Sequence, residues 1–311
     1  MGRYLVTGGA GFIGGALVQR LRAMQHDVTI LDLPSKIKVS PPPSGVRTIA
    51  ADISSASTFE RLSGPYDAVL HLAAQTSARV SHEEPERDID TNARGTLLLA
   101  QWCVKNGTDR LLYSSSMGVY GQPERVPVDE SMLCAPVSFY GVTKLAGEHY
   151  LNTHRAFGLN PTIFRLFNVY GPGQDMSNLK QGMVSVYLAY LNEREPVPVT
   201  GSLQRFRDFI YIDDVVDAFM LALPDERSYG ETYNIGSEQS HTVRELLNTL
   251  ISTIGYDSAY PVHEVEGHPG DIFGIKSDCT KFRSQFEWRP RVSLQQGIER
   301  MVEWTQTGAH R

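Results

Sequence analysis

The sequence is poor in cysteine, in long apolar stretches and in surplus charge of either sign, and each shortage closes off a class of protein. Only three cysteines occur in 311 residues, Cys103, Cys134 and Cys279, far apart and outside any Cys-x-x-Cys or His-flanked spacing. That excludes a disulfide framework and a cysteine-based metal site, and predicts a reducing compartment with no structural metal. No uninterrupted apolar run reaches the ~18 residues that a membrane-spanning helix needs. Residues 1–11 run straight into a glycine motif and leave no room for a basic segment followed by an apolar leader core, so a soluble, cytoplasmic protein is expected. With 29 Lys and Arg against 35 Asp and Glu, a net charge of −6, nothing draws the chain as a whole to nucleic acid or to an anionic membrane. A small anion is not excluded, because local basic residues decide that.

What is present is alternation. Short β-rich apolar runs at residues 4–7, 28–31, 46–50, 68–72, 110–114 and 162–165 alternate with helical patterns, clearest at 12–24, 89–104 and 140–157. In the first helix Phe12, Ile13, Ala16, Leu17 and Leu21 share one face. Strand, helix, strand in repetition implies parallel strands with right-handed crossovers, hence an α/β fold with a doubly wound parallel sheet. A Pro- and Ser-rich loop is expected around Pro41–Pro43. After Phe167 the rhythm breaks. Residues 168–180 hold Gly, Pro, Asn and Asp and read as loop. Beyond them lie a helix at 182–192, a strand and helix at 209–212 and 214–223, and a strand at 232–235. Helices follow at 243–254 and 294–304, the former with Thr242 or Ser240 available as its cap.

Gly8-x-x-Gly11-x-x-Gly14 sits directly between a strand and a helix, the context that gives a glycine pattern meaning. There the chain must turn sharply, let a pyrophosphate approach the backbone, and pack the helix closely on the sheet. The helix start then offers unpaired N–H groups and a positive dipole end to phosphate. Asp32 follows the second strand, where a carboxylate can accept hydrogen bonds from ribose hydroxyls and repel a 2′-phosphate. NAD is therefore favoured over NADP. Asp52 and Ile53 end the third strand, where they could border the adenine ring.

Tyr140-Gly-Val-Thr-Lys144 places a phenol and an ammonium one helical turn apart on the same face. A phenol is a poor base at neutral pH, its reference pKa being about 10. A nearby ammonium and a positive nicotinamide favour the phenolate, which predicts a lowered value. Such a pair suits proton transfer from a hydroxyl while hydride moves to a cofactor. The spacing alone is common by chance. Ser114-Ser115-Ser116 follows a strand, and a hydroxyl there could bond the same substrate oxygen as Tyr140. Glycine turn, ribose carboxylate, serine loop and Tyr-Lys pair in this order form a much rarer set.

On these motifs the chain resembles the NAD-dependent epimerase/dehydratase family of extended short-chain dehydrogenases/reductases. Within it, the likeness is greatest to 4-epimerases of the UDP-glucose (UDP-galactose) type. The resemblance runs through TGGAGFIG (7–14), HLAAQ (71–75), Asn92 with Gly95-Thr96, and SSSMGVYG (114–121). It continues through YGVTK (140–144), RLFNVYGPGQ (165–174), RFRDFIYIDDV (205–215) and YNIG (233–236). It implies Ser116 as the catalytic hydroxyl, Tyr140 as acid/base, and Lys144 as the group that holds the nicotinamide ribose and tunes the tyrosine. Phe12, Ile13, Leu72, Ala73, Ala74, Asn92 and Ser114 join the cofactor residues by the same resemblance. Asn168, Gln181, Arg207 and Asp271 fall to the substrate, with Arg207 clamping the nucleotide diphosphate. A Rossmann domain over 1–167 and 208–236 and a nucleotide-sugar domain over 168–207 and 237–311 are then expected, with NAD as cofactor and a UDP-sugar as substrate.

Two departures shape the expectation. Dehydratases of this family carry Asp-Glu just after the catalytic hydroxyl residue, and decarboxylases usually carry Glu at the second of these positions. Here Met117 and Gly118 stand there, which disfavours both reactions. His268 replaces an Arg of many relatives, which leaves the second diphosphate clamp open. The resemblance also puts Ile275 near the wall of the sugar pocket. The expected reaction is epimerisation at C4 of a UDP-hexose through a 4-keto sugar. The alternatives are a uronic acid or N-acetylhexosamine substrate, a 4-ketoreductase, and a non-catalytic nucleotide sensor. Asp213 or Asp214 is expected to cap the following helix, and His71 to be a core histidine. His149 and His154 read as solvated or packed, Met24, Met176, Met183, Met220 and Met301 as packing residues, and Glu83, Glu84 and Glu86 as a solvated face. Relatives pair the helices at 89–104 and 140–157 across a two-fold axis, so a homodimer is expected.

Overall fold

The computed structural model describes residues 1–267 and 271–308, so His268 lies outside the described residues. The strands are β1 (Arg3–Thr7), β2 (Asp27–Asp32), β3 (Arg47–Ala50), β4 (Ala68–His71), β5 (Arg110–Ser116) and β6 (Asn160–Leu166). After them come β7 (Asn168–Tyr170), β8 (Val197–Thr200), β9 (Phe206–Tyr211), β10 (Thr232–Ile235), β11 (Ser240–Thr242) and β12 (Val262–Val265). The first helices are α1 (Phe12–Ala23), α2 (Pro34–Val39), α3 (Ala78–Glu83), α4 (Pro85–Asp88), α5 (Gly95–Lys105) and α6 (Phe139–His154). The later ones are α7 (Met183–Asn192), α8 (Ile212–Ala222), α9 (Val243–Ile254), α10 (Thr280–Phe286) and α11 (Leu294–Gln306).

A seven-stranded sheet runs in the order β10-β6-β5-β4-β1-β2-β3, and every neighbouring pair is parallel. The expected doubly wound sheet is therefore present. Successive residues of its strands feed two different cores. Val6, Ile30, Leu70 and Leu112 pack with Leu17 and Leu21 of α1 and Phe219 of α8. Leu5, Leu31, Val69 and Leu111 pack with Leu99 and Cys103 of α5 and Leu151 of α6. A strand covered on both faces needs apolar residues without alternation, which is why these strands read as unbroken apolar runs. Each such side chain contributes about 1.5–3 kcal/mol on full burial. Because β1 has β2 on one side and β4 on the other, the winding reverses there and opens a crevice beyond their carboxyl ends.

The remaining strands make a smaller mixed α/β unit. The β11-β9-β7 sheet pairs β9 antiparallel to β11 and parallel to β7, and β12 pairs parallel to β8. Thr242 caps α9 in a full capping box with Glu245.

Several details depart from the sequence reading. The Pro/Ser-rich stretch begins with α2, whose Pro34 occupies the first turn, where a missing N–H is no loss. The stretch read as loop from 168 starts as β7, a strand created by pairing with β9 rather than by its own propensity. The helix expected at 89–104 is a π-helical segment, Ile89–Arg94, followed by α5, and α4 runs directly into it. Neither Asp213 nor Asp214 caps α8, because Tyr211 holds that position without a side-chain bond. Asp214 is buried and instead accepts the backbone N–H groups of Arg291 and Val292. Met24 is 53% exposed and is no packing residue, whereas Met301 is fully buried. Among the described residues no helix is long and apolar enough to cross a membrane, and no His/Cys/Asp/Glu group is arranged for a metal.

One contact docks α6 on the sheet. Glu148 accepts hydrogen bonds from Arg165 Nη2 at 2.8 Å and Ser115 Oγ at 2.5 Å, joining α6 to β6 and β5. Both charges are buried, at 9% and 4% exposure for the two side chains. Glu148→Ala should cost about 3–5 kcal/mol in urea unfolding, because Arg165 is left charged and unpaired. Replacing both together, Glu148→Leu with Arg165→Met, should recover most of that loss.

Candidate active site

The crevice widens into a cleft of about 1340 Å³ between the sheet and the smaller unit. That exceeds the roughly 300–1,000 Å³ of a site for one drug-sized ligand. Its floor begins at the turn after β1. Gly8 has φ +72°, and a Cβ there would come within 2.7 Å of the Ala73 nitrogen, so the turns after β1 and β4 touch backbone to backbone. A Cβ on Gly14 would fall on the Gly8 carbonyl, so only glycine lets α1 start this close. Gly11 is the N-cap of α1 and offers no side chain, which leaves first-turn N–H groups facing the cleft with Phe12 and Ile13.

Asp32 stands at the end of β2, 9% exposed, and lines the same cleft. Its Oδ2 accepts the Ala10 N–H at 2.9 Å and its Oδ1 the Leu33 N–H at 2.8 Å. Each oxygen keeps a second lone pair. Burial pushes its pKa up, and the two N–H groups and Lys36 work against that. Asp52 and Ile53 border the cleft beyond β3, the aspartate exposed and the isoleucine buried. Leu72, Ala73 and Ala74 follow β4, and Ser114 and Ser116 end β5, all on the cleft wall.

Tyr140 sits in the first turn of α6, which Ser138 caps by accepting the Gly141 N–H at 3.1 Å. Ser116 stands opposite the Tyr140 phenol, and its Oγ accepts the Gly118 N–H at 3.1 Å. Burial pushes the phenol up to about 12, and the Ser116 hydroxyl offsets only part of that. This corrects the lowered value expected from the Tyr-Lys spacing: within the chain, desolvation of the phenol dominates. Lys144 does not line the cleft. It is 2% exposed, its Nζ lies 4.2 Å from the centre of the Tyr113 ring, and burial pulls it down to about 7 against the opposing pull of Glu148 and Asp88.

Asn92 also stands behind the wall, in the π-helical segment. It accepts the Gln75 N–H at 2.8 Å and donates to the Gln75 carbonyl and to Thr143 Oγ1. His71 is the expected core histidine. It is held between Thr7 and Thr96, stacked on Tyr113, and driven by burial to about 3, so it stays neutral.

At the far end Arg207 of β9 and Arg205, the residue just before that strand, both line the cleft. They share Asp271: Arg205 pairs with Oδ2, and Arg207 Nη2 lies 3.0 Å from Oδ1. Sequence reasoning picked Arg207 and Asp271 and missed Arg205, although Arg-x-Arg at the entry to a strand was a usable signal. Two guanidiniums against one carboxylate leave a local positive charge in a chain that is acidic overall. Asn168 donates to the Asp208 carbonyl at 3.0 Å and lies 3.5 Å from the Met117 sulfur. Gln181 lines the rim. The segment before it is fastened across the cleft, with Ser77 Oγ donating to the Lys180 carbonyl at 2.8 Å and Lys180 Nζ 2.7 Å from Glu83. Glu83 is thus a clasp as well as a solvated acid. Ile275 is fully buried beside Val119, Tyr120 and Phe167 and does not line the cleft, which corrects its placement at the sugar wall.

Residues 4–236 match the NAD dependent epimerase/dehydratase family. The chain belongs to that family. It is 34% identical over 313 residues to a UDP-glucose 4-epimerase of Mycolicibacterium smegmatis, covering 97% of this chain and 98% of the relative. The crystal structure of UDP-glucose 4-epimerase with UDP-glucose from Thermotoga maritima superposes with a TM-score of 0.93 at 35% identity, covering 99% of both chains. The Thermus thermophilus UDP-glucose 4-epimerase complex with NAD gives 0.88 at 32% identity, covering 98% of this chain and 99% of that one.

Asp32 offers a direct check on the cofactor end of the cleft. Asp32→Ser should narrow any preference for NAD over NADP by at least about tenfold, or 1.4 kcal/mol, in fluorescence titrations with the two dinucleotides. An undiminished preference would place the ribose elsewhere.

Proposed function

We propose that this chain is an NAD-dependent nucleotide-sugar 4-epimerase acting on a UDP-hexose through a transient 4-keto sugar. One observation carries the reading. The Tyr140 and Ser116 hydroxyls meet at the cleft floor between the glycine turn and the arginine pair, beside a position that has no side chain. A Cβ on Gly118 would lie 3.4 Å from Ser116 Oγ and 3.7 Å from the Tyr140 ring. An acid at 118 would therefore reach the reacting groups, and the chain has none there. With Met117 equally unable to exchange protons, the pocket is equipped to move one hydroxyl proton and nothing more.

The cradle of Gly8, Gly11 and Gly14 fits a pyrophosphate, and Asp32 fits a ribose without a 2′-phosphate. NAD bound there supplies the acceptor for the C4 hydride and then its donor, so the reaction has no net redox change. The chain's own groups do the rest. Tyr140 takes the proton of the sugar 4-hydroxyl and later returns it, while the Ser116 hydroxyl holds the same oxygen in place. Lys144, charged beneath them, favours the phenolate that burial alone disfavours. Arg207, with Arg205 beside it, and Asn168 grip the diphosphate, and Gln181 flanks the sugar. Gripping the nucleotide and not the hexose leaves the 4-keto sugar free to turn its other face to the cofactor.

Two measurements test this. Tyr140→Phe should lower turnover by about 10²–10⁴-fold while calorimetry shows NAD and UDP-sugar binding nearly intact. Incubation with UDP-, dTDP- and GDP-sugars, followed by NMR, should show inversion at C4 of a UDP-hexose. Product inverted only in UDP-glucuronic acid or UDP-N-acetylglucosamine would move the substrate, and net reduction of a 4-keto sugar would replace the reaction.

A homodimer completes the proposal. Ile89 is 55% exposed, and Phe139 and Val142 are also exposed, on the adjoining π segment and α6. Light scattering at micromolar concentration should report a dimer, and Ile89→Glu with Val142→Glu should return a monomer.

A further inference from the structure

Asp88 closes α4, is fully buried, and has no part in the chemistry described above. Its Oδ1 accepts a hydrogen bond from Gln75 Nε2 at 2.5 Å. Its Oδ2 is buried and has no hydrogen-bond partner among the described residues. Leaving such an oxygen bare costs about 1–3 kcal/mol, more if it is charged, so a compensating interaction is required. The surroundings point to where it comes from. Both α4 and the π-helical segment pack on α6, the helix of Tyr140 and Lys144. Gln75, which holds Oδ1, is itself held by Asn92, and Asn92 donates to Thr143, the residue before Lys144. The carboxylate is thus tied by side chains to the turn that carries the lysine.

The charges nearby leave few other partners. On the Asp88 side stand His82 and Arg87, and Arg87 lies exposed against Glu84. Asp90 and Arg94 of the π segment face each other at the surface. Lys144 is faced by Asp88, by Glu148, by the Tyr113 ring and by the neutral His71. Glu148 is already committed to Arg165 and Ser115. Tyr140 is faced by Ser116 and Asp88.

We propose that Asp88 is a positioning residue for the Tyr140–Lys144 pair, the buried counter-charge that keeps Lys144 an ammonium and sets the pH range in which Tyr140 exchanges its proton. The sign follows from the charge. Asp88 raises the pKa of Lys144 and of Tyr140 alike. Removing that negative charge lowers both, so every titration of the coupled pair moves to lower pH. Burial raises the Asp88 carboxyl itself, while Gln75, Arg87 and Lys144 hold it down.

The role in turnover rests on the epimerase reading, but the titration does not, and the test separates them. Asp88→Asn keeps the shape and the Gln75 contact. With NAD added and no sugar present, Tyr140 ionisation is read from tyrosinate absorbance as the difference from a Tyr140→Phe protein in the same background. The midpoint should fall by about one pH unit in Asp88→Asn, and the pH profile of turnover should move down with it. An unmoved midpoint in a protein of unchanged Tm overturns the proposal, whatever the enzyme does to sugars. A lowered midpoint in a protein that epimerises no sugar upholds the counter-charge and removes the epimerase. Should the Asn variant fold poorly, Asp88→Ser is measured in the same way, with the same shift expected and the same null shift overturning it.

Discussion

The buried pair of Glu148 and Arg165 is the contact on which the site depends. It lies one helical turn beyond Lys144 and binds α6 to β6, with Ser115 extending the grip to β5. Arg165 continues inward to the Tyr120 hydroxyl at 3.1 Å, and Tyr120 donates to Asn234 Oδ1 at 2.6 Å on β10. A helix held only by apolar contacts can slide or rotate slightly at little cost. A charge pair with fixed geometry penalises such movement steeply, even where it adds little net stability over an apolar equivalent. The position of Tyr140 opposite Ser116 is thereby set two turns further along the same helix. Catalytic geometry here is a property of the α6–β5–β6 junction.

Electrostatics divides the cleft. At the glycine turn it offers N–H groups and one carboxylate, Asp32, which stands where a second phosphate would be repelled. At the opposite end Arg205 and Arg207 place two guanidiniums on Asp271, and burial lowers the pKa of each. Between these ends Ser116 and Tyr140 are half-buried on the cleft wall and Lys144 is buried behind it. Desolvation raises Tyr140 and lowers Lys144, so both are driven toward their neutral forms. The buried carboxylates Glu148 and Asp88 act on one side of this, holding Lys144 toward its ammonium form while Asp88 also raises Tyr140.

Much of this was legible in the linear chain. The alternating apolar runs announced a parallel sheet, because strands buried on both faces carry no alternation of their own. Gly8, Gly11 and Gly14 were legible because each is required by backbone contact with the turn after β4 or within the turn after β1. Three features were not. β7 has no propensity that separates it from loop, and it exists because β9 lies alongside. The cap expected from Asp213 or Asp214 failed because Asp214 is drawn to the backbone of Arg291 and Val292, far away in sequence. Ile275 belongs to a core cluster whose members come from four separate stretches.

The sequence by itself determined the order of the working parts: a glycine turn, a carboxylate at the end of β2, a serine-ended strand and a Tyr-Lys helix. Local rules of turn, period and polarity suffice for these, since each depends on neighbours within a few residues. Tertiary structure alone decided how the parts are tuned. It placed Lys144 behind the wall and not in the cleft, set Arg205 beside Arg207, and buried Asp88 with one oxygen unpaired. Burial and long-range pairing fix a group's proton affinity, and neither is written in the spacing of residues along the chain.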